Sequence, residues 1–590
     1  MVANPRDFYS NEKKHFEIEL QKVQKELRLL SFVRFLMFSS TVFCIYYFVG
    51  DAKIMWSSVL VGGGLFVFFL KWYWRKKENL QRLEALVNIN SLEIDVLNGD
   101  VSKLETGAEF KNPKHAYSFD IDLFGKGSFF QFINRTVTKS GKERLVSELT
   151  ANHIEDIKCK QEAVLELSKI PKWRQEFSAL ASSVHAEVSP NDIITWISNH
   201  KKSLPKFLKT LALIFSLISF SLVIGVSFFE IPFSVVIIWF FLGLGVSGFY
   251  LKKVNELYLR AGKVKATFQQ YYKLLELLEK KQFSSVFLKN RHIKISDNGV
   301  HASKLMQQFF EYLNALDQRN NIIFAIFGNG LLLWDVKQAY RVENWMHDYK
   351  NYVKDWFEVI SYFDAQNSLA NYAFNQPEHT FPIIQKNGAV LNAKSLGHPL
   401  LADSQRVTSD CVIDEQSFFI VTGANMAGKS TFLRTISLSI IMSNMGLPVC
   451  SEKMYYTPIK LITSIRNSDS LSDDTSYFFS ELKRLKFIVE ALKTDDYFIV
   501  LDEILKGTNS TDKAKGSQQF VEKLVGSKAT GIIATHDLSL CEIEKEYKEI
   551  HNYYFDAEIK NDELHFDYKL KKGVCQNMNA SFLLRKMEIV

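Results

Sequence analysis

Cysteine is scarce in this chain, and its spacing excludes the sites that cysteine usually builds. Six cysteines occur among 590 residues, and none of them forms a C-x-x-C pair or another metal-ligand spacing. This distribution argues against a zinc site or a disulfide framework and suits a reducing cytosol. The net charge of +7 is small for this length, so it permits contact with nucleic acid or an anionic membrane surface but requires neither.

Charged side chains are missing from four apolar runs. Residues 35–50 and 54–70 form the first pair, joined by a short tip, and each is slightly short for a full membrane span. Residues 210–229 and 231–251 form the second pair, and each has about twenty residues, the length that a bilayer core requires. We predict two transmembrane hairpins, with a buried core hairpin of a soluble protein as the alternative for the first pair. Because ion and substrate pathways usually need ionisable groups within the membrane, the four spans are predicted to be an anchor.

Basic residues flank both hairpins on one side. They are Arg75, Lys76 and Lys77 beside the first hairpin, and Lys201, Lys202, Lys206, Lys209, Lys252 and Lys253 beside the second. The positive-inside rule then places both termini and all large segments in the cytosol. An amphipathic helix over residues 11–30 precedes the first span, and we expect no cleavable signal peptide. The expected location is the inner (cytoplasmic) membrane, as a multi-pass protein.

A glycine-bracketed loop follows an apolar run of strand length in residues 418–431, FFIVTGANMAGKST. It fits the P-loop pattern G-x-x-x-x-G-K-[ST] with Gly423, Gly428, Lys429 and Ser430 in place. Glycines let backbone N–H groups close around phosphate oxygens, and the following helix N-terminus favours negative charge. Lys429 is predicted to reach the β- and γ-phosphates and Ser430 to hold Mg²⁺. The alternative is a chance match in a surface turn.

Two further strands carry polar groups at their carboxyl ends. Residues 497–503, YFIVLDE, are typical of a buried parallel strand that ends in Asp502 and Glu503. In P-loop ATPases such a pair orients Mg²⁺ and polarises the attacking water, respectively. Residues 531–535 predict a third strand, which delivers His536 to the edge where ligands of open α/β sheets bind, as a sensor of the γ-phosphate. An ordinary acidic turn and a structural histidine are the alternatives.

Several segments of the chain resemble the MutS family of mismatch-repair ATPases. The P-loop TGANMAGKST is similar to the family's TGPNMGGKST, including Asn425 and Met426, which generic P-loops lack. The other segments that carry the resemblance are Asn134 to Thr138 with Gly141, Arg144 and Leu145; Phe363 to Ala365 with Leu369 and Ala370; Gly397 to Leu400; Thr475 to Phe478 with Glu481 and Leu482; Asp502 to Ile504 with Gly507, Thr508 and Ser510 to Asp512; and Tyr568 to Leu570 with Gly573.

The resemblance implies a division into three parts. Residues 1–110 would hold the amino-terminal helix, the first transmembrane hairpin (about 35–70) and a linker. Residues 111–380 would form a mainly α-helical lever domain, interrupted by the second hairpin at about 210–251. Residues 381–590 would form an α/β P-loop ATPase domain of the ABC type.

The resemblance also implies a set of site residues, with ATP and Mg²⁺ as cofactors. Ser430 and Asp502 would hold the metal, and Glu503 and His536 would act in catalysis. Ser476 would be donated across a homodimer to the partner's nucleotide, so that ATP is clasped at composite sites. The residues expected to bind the nucleotide are Gly423, Asn425, Met426, Ala427, Gly428, Lys429, Ser430 and Thr431.

The sequence departs from the family pattern at several points. Ala424 and Ala427 replace a proline and a glycine in the loop, which is tolerable if position 427 keeps a negative φ, and Leu505 replaces a glycine. Residues 1–110 contain no Phe-x-Glu wedge, so we expect the family's mismatch-reading domain to be absent. The clamp insertion is expected to be reduced or replaced by the second hairpin.

The predicted function is that of a membrane-anchored, dimeric MutS-like ATPase whose levers move around mismatched or branched DNA. The prediction that DNA is a partner rests on the resemblance alone. One alternative is an ATP-gated membrane scaffold that binds protein partners. Another is a transporter of the ABC class, against which stand the missing LSGGQ before Tyr497 and the absence of polar groups in the spans.

Overall fold

The architecture is mostly helical with two β-sheets, as seen in a computed structural model that describes residues 4–48, 50–183, 188–296, 301–466, 477–560 and 563–576. The α-helices within these residues are α1 (Pro5–Tyr47), α2 (Ala52–Leu97), α3 (Phe129–Ile133), α4 (Lys139–Thr150), α5 (Ile157–Ser168), α6 (Pro171–Ser182), α7 (Pro190–Asn199), α8 (Phe207–Phe228), α9 (Phe233–Glu279), α10 (Val286–Ser296), α11 (Ala302–Asp317), α12 (Ile322–Leu332), α13 (Trp334–Asn375), α14 (Lys429–Asn444), α15 (Tyr477–Ala491) and α16 (Ser510–Gly526). The strands are β1 (Ile383–Ile384), β2 (Leu391–Leu396), β3 (Ser409–Ile413), β4 (Phe418–Gly423), β5 (Lys453–Tyr456), β6 (Lys460–Ser464), β7 (Tyr497–Asp502), β8 (Thr530–Ala534), β9 (Ile550–Lys560) and β10 (Glu563–Lys572).

The larger sheet has six strands in the order β10-β9-β4-β8-β7-β6. Strands β9, β4, β8, β7 and β6 run parallel, and β10 pairs antiparallel with β9 at the edge. All six residues of β4 are buried, which explains its unbroken apolar sequence, because helices cover both faces of a parallel sheet. The non-consecutive order of neighbouring strands is that of an open, doubly wound α/β domain.

A second sheet of four strands, in the order β1-β5-β2-β3, lies earlier in the same region of the chain. Strand β2 is antiparallel to both β3 and β5, and β1 is parallel to β5. The largest hydrophobic core joins residues of both sheets to residues 117–164 and to the last turns of α13. This core therefore crosses the boundary predicted at residue 380, and the helical and α/β parts are packed as one body there.

Two segments that carry the family resemblance meet in space at the start of α4. Thr138 caps this helix by accepting the N–H of Gly141 at 2.9 Å. The buried carboxylate of Asp364, in α13, accepts the N–H of Thr138 at 2.8 Å, the hydroxyl of Thr138 at 2.6 Å and the N–H of Val137 at 3.2 Å. A side chain at position 141 would overlap Asp364, so glycine is required for this close approach. The contact fixes α4 against α13.

Four helices of the described chain are long and apolar enough to cross a membrane, and they contain most of each of the four runs identified in the sequence. The amphipathic helix expected over residues 11–30 and the first apolar run form a single helix, α1. Large apolar side chains of these helices face outward, including Phe35, Phe43, Phe68, Phe220 and Phe241. The residues 210–251 are therefore not folded inside a core of the described protein.

The end of the α1–α2 hairpin that lies opposite its connecting turn is attached to the helical body by polar contacts. Glu93 of α2 is buried, and its carboxylate lies 2.6 Å from Nε of Arg135. The same carboxylate accepts hydrogen bonds from the amides of Asn371 and Asn375, at the end of α13. Tyr9 of α1 donates to Asn375 at 2.7 Å. Because a buried ion pair is costly to break, this contact holds the hairpin firmly to α13.

Candidate functional site

Three adjacent parallel strands end at one edge of the larger sheet and bring the predicted site residues together. Strands β4, β8 and β7 are neighbours in that order. Gly423 ends β4, Asp502 ends β7, and His536 follows β8 by two residues. The register pairs Asp502 with Ala534, so the acidic pair and His536 lie beside each other. This is the edge at which open α/β sheets bind ligands.

Glycine is required at both ends of the loop that joins β4 to α14. Gly423 has φ 151° and a Cβ there would lie 2.7 Å from the carbonyl oxygen of Phe555. Gly428 has φ 107°, and a Cβ there would lie 3.2 Å from the ring of Tyr568. Residues other than glycine rarely adopt either of these backbone conformations. The loop thus brings bare backbone to the start of α14, as phosphate binding needs.

The alanine at position 427 fits the loop without strain. Among the non-glycine residues of the loop, 424–427, only Met426 has a positive φ, at 66°. Ala427 is buried and stays outside that region, so the condition placed on this replacement is met. Met426 is 80 % exposed, and Asn425, Ser430 and Thr431 are exposed beside it. The loop is therefore open to a ligand on this side.

Lys429 is the first residue of α14, and its ammonium group turns back into the loop. Its Nζ donates to the carbonyl oxygens of Gly423 at 2.7 Å and Ala424 at 3.0 Å, and lies 3.2 Å from Nε2 of His536. Burial lowers the pKa of Lys429, although the negative charges of Asp502 and Glu503 act to raise it. Phosphate oxygens would favour the charged form, since opposite charges raise the pKa of an ammonium.

Ser430 and Asp502 form the oxygen pair predicted to hold Mg²⁺. The Ser430 hydroxyl donates to Oδ2 of Asp502 at 3.1 Å. Burial raises the pKa of Asp502, while Lys506 and the Ser430 hydroxyl act in the other direction. Mg²⁺ prefers oxygen ligands and is usually held by one or two protein groups together with substrate phosphates. The two side chains fit that ion.

Glu503 and His536 face each other across the end of the sheet. Glu503 adopts φ 46°, and its N–H donates to the carbonyl of Ala534 at 2.9 Å. One carboxylate oxygen lies 3.6 Å from Nε2 of His536 and the other 3.4 Å from Nζ of Lys506. Burial and the charge of Lys429 lower the pKa of His536, which favours the neutral form of the ring beside the Lys429 ammonium group.

Glu481 has a position in this site that the sequence reasoning did not assign to it. Its buried carboxylate accepts the N–H of Leu505 at 2.6 Å and the N–H of Lys506 at 3.2 Å. Leu505 has φ 60°, a conformation that costs a residue with a side chain about 1 kcal/mol or more. Glu481 therefore holds the strained loop that directly follows Glu503. Its place in a family-like segment was the only sequence signal for it.

Ser476 lies outside the described residues, which resume at residue 477. The structure thus brings together Gly423, Lys429, Ser430, Asp502, Glu503 and His536. The roles assigned to these residues, to the other loop residues and to Ser476 stay predictions.

Comparison with known proteins connects this site to one family. The family model described as MutS domain V matches residues 419–585. The chain is 31 % identical over 233 residues to MutS protein homolog 4 of Homo sapiens, covering 38 % of this chain and 24 % of that protein. It is 31 % identical over 229 residues to the DNA mismatch repair protein MutS of Finegoldia magna, covering 38 % of this chain and 26 % of that protein.

A third relative has the same extent of similarity. The DNA mismatch repair protein MutS of Fusobacterium nucleatum is 33 % identical over 224 residues, covering 36 % of this chain and 24 % of that protein. The chain thus spans about a quarter of the length of the curated relatives it matches. The similarity lies in the carboxyl-terminal part, which contains the site described above. Residues 419–585 therefore form a domain similar to domain V of the MutS family.

Proposed function

We propose that this protein is a membrane-anchored MutS-like ATPase, which hydrolyses ATP at sites shared by two copies and thereby moves its helical levers on DNA. The observation that carries the proposal is the convergence of Lys429, Ser430, Asp502, Glu503 and His536 at the ends of three adjacent parallel strands. These five residues lie within residues 419–585, which match the model of MutS domain V.

The reaction would be an in-line attack of water on the γ-phosphate, with positioning and electrostatics supplying most of the catalysis. Lys429 would leave the loop carbonyls and bind the β- and γ-phosphates. Glu503 would orient the attacking water and polarise it, and neutral His536 would contact the γ-phosphate. Mg²⁺, held by Ser430 and Asp502, would neutralise negative charge on the phosphate oxygens.

Two substitutions test the nucleotide chemistry. Glu503→Gln should retain ATP binding but lower turnover at least about 100-fold, because general-base catalysis contributes about that much or more. Lys429→Ala should weaken ATP binding itself. Glu490→Gln, on the exposed side of α15, is the matched control and should leave both unchanged. Equal turnover of the native protein and Glu503→Gln would show that Glu503 is not the base.

Membrane anchoring is supported by the four apolar helices and their outward-facing side chains. Both hairpins have their basic flanks on the side of the helical body, which would be cytosolic in the inner membrane. The protein should remain in the membrane fraction after washing with alkaline carbonate and high salt, and detergent should release it. Release by carbonate or salt alone would contradict an integral anchor.

The DNA partner is proposed from the relatives, two of which bear the name DNA mismatch repair protein. Phosphate contacts make DNA affinity fall steeply with salt, so a salt titration with duplex and branched DNA, with and without ATP, tests this step. If the detergent-purified protein shows no salt-dependent DNA binding in either state, an ATP-gated scaffold for protein partners replaces the DNA part of the proposal.

A further inference from the structure

Helix α12 is a short apolar element within the region that the sequence predicts to be mainly helical, and no membrane contact was predicted for it. It begins with IIFAIF and ends at Leu332, and the next helix, α13, starts at Trp334 after a bend of 83°. Ile322 is 74 % exposed, Ile323 70 % and Phe327 58 %. Soluble proteins rarely leave such a continuous apolar surface in water. This surface therefore needs an apolar surrounding.

The position of α12 beside the second hairpin indicates what that surrounding is. Gly330 approaches α9 so closely that a side chain at Gly243 would overlap its carbonyl oxygen, and a side chain at Gly330 would overlap the ring of Phe240. Close contact through small residues is typical of helices that associate within a membrane. The exposed face of α12 is thus continuous with the exposed apolar faces of α8 and α9, which the proposed function places in lipid.

The polar backbone groups at the end of α12 have partners on that hairpin. A helix end leaves carbonyl oxygens without partners inside the helix, and lipid offers none. The hydroxyl of Ser219 lies 2.6 Å from the carbonyl oxygen of Leu331, and that of Ser216 lies 3.4 Å from the carbonyl oxygen of Leu332. The carbonyl oxygens at the bend between the two helices therefore accept hydrogen bonds from α8, as a helix break within a membrane requires.

The chain enters this region at the basic end of the hairpin. Just before α12, Arg319 donates to Asn255 at 2.6 Å, and Asn320 bonds the hydroxyl of Tyr258. Both partners lie on α9 just beyond Lys252, where its apolar run ends. Gly243, the contact of α12's last turn, lies nine residues before Lys252, or about 14 Å along the helix. That is about half of a 30 Å hydrocarbon core.

The chain also leaves at the same end. Glu343, ten residues into α13, accepts the N–H groups of Ser203 and Leu204 at 3.1 and 3.0 Å. Ser203 in turn accepts from Lys253 at 2.9 Å. Entry and exit therefore lie on the same side of the hairpin.

We propose that α12 is a re-entrant membrane segment, which dips about half-way into the acyl chains beside α8 and α9 and carries the first turns of α13 with it. This inference rests on the membrane anchor of the proposed function. Its consequence is that α13, which reaches the core of the α/β domain, starts inside the lipid. The occupant of the exposed face is phospholipid acyl chain.

The test places a genetically encoded fluorescent amino acid at one position at a time in the full-length protein, reconstituted in phosphatidylcholine–phosphatidylglycerol vesicles. The positions are Ile323 and Phe327 of α12, Leu217 of α8 as the anchor reference, and Leu165 of α5 as the water reference; all four side chains are exposed. Emission is quenched either by bromine on the acyl chains or by iodide in the water. Each labelled protein must first retain the elution volume and melting temperature of the native protein.

We expect Ile323 and Phe327 to lose fluorescence to bromine and not to iodide, with Phe327 quenched best by bromines placed deeper in the acyl chain than those for Ile323. Iodide quenching of both α12 positions, with Leu217 still quenched by bromine, would overturn the re-entrant segment and leave the anchor intact. Iodide quenching at Leu217 as well would overturn both. Protection of α12 from both quenchers would mean that protein covers it, which also overturns the proposal.

Discussion

Replacing Glu481 with glutamine should separate the binding of ATP from its hydrolysis. The native carboxylate accepts two backbone N–H groups, those of Leu505 and Lys506, at 2.6 and 3.2 Å. Glutamine has one accepting oxygen and a donating NH₂ group, so one of these bonds is lost and the NH₂ group faces a donor. A hydrogen bond to a charged group contributes about 1.5–3 kcal/mol.

The loss should fall mainly on the transition state. Leu505 sits in the left-handed region at φ 60°, and without its anchor the loop relaxes and moves Glu503, two residues earlier. If the whole loss appears in catalysis, turnover falls about 10- to 100-fold, since 1.4 kcal/mol is a factor of ten. The affinity for ATP should change much less, because Lys429 and Ser430 belong to a different element, α14.

The assay compares steady-state ATP turnover with the dissociation constant of a fluorescent ATP analogue in detergent-purified protein. Glu490→Gln is the matched control, because Glu490 lies on the same helix, is exposed and pairs only loosely with Lys486 at 3.7 Å. Turnover of Glu481→Gln equal to that of Glu490→Gln would refute the positioning role. A parallel loss of binding, turnover and melting temperature would instead mean that Glu481 supports the fold as a whole.

Three further predictions concern the packing of α13, the loop and the dimer. Burial raises the pKa of Asp364 to about 6, above the value of about 3.9 in an unfolded chain. The folded state therefore binds this proton more tightly than the unfolded state does. The stability that this group contributes is fully present below about pH 4 and is lost as the pH rises through 6. Asp364→Asn should remove this part of the pH dependence of the melting temperature, and an unchanged profile would contradict it. Gly428→Ala should weaken ATP binding about five-fold or more, because φ 107° strains alanine by about 1–3 kcal/mol, whereas Gly526→Ala, which meets open space, should not. Ser476→Ala and Lys429→Ala should each lose most of the ATPase activity alone, and a mixture of the two should recover activity, because a mixed dimer with shared sites has one site that contains both native residues. Activity of the mixture equal to the average of the two separate variants would exclude sharing.

Local sequence was sufficient to locate the strand-end residues. Gly423, Asp502 and His536 each follow an apolar run directly, and parallel strands bring their carboxyl ends to one edge whatever the rest of the chain does. The expectation for Ala427 was conditional, because the sequence pattern fixes the glycine positions of the loop but not the φ of the residue between them. In the structure Ala427 does not have a positive φ, so the condition is met.

Contacts between distant segments could not be derived in this way. Glu481 precedes Glu503 by 22 residues, and its bond to Leu505 depends on how α15 packs against the sheet. The contact of Asp364 with Thr138 spans 226 residues: both segments were recognised, but nothing in either indicates the other. The membrane contact proposed for α12 was not predicted for a different reason, because its 11 residues fall below the length at which an apolar run predicts a span.

The attachment of Tyr9 and Glu93 to the far end of α13 has a geometric consequence for a protein held in a bilayer. Helix α13 has 42 residues, or about 63 Å, and α1 has 43, so in the proposed membrane anchor two helices of similar length would connect the lipid to the α/β domain. An α/β domain held by two helices would be unable to rotate about either helix alone. Each nucleotide pocket would then keep a constant distance from the bilayer and a constant orientation, and two copies could meet only side by side, about an axis perpendicular to the bilayer.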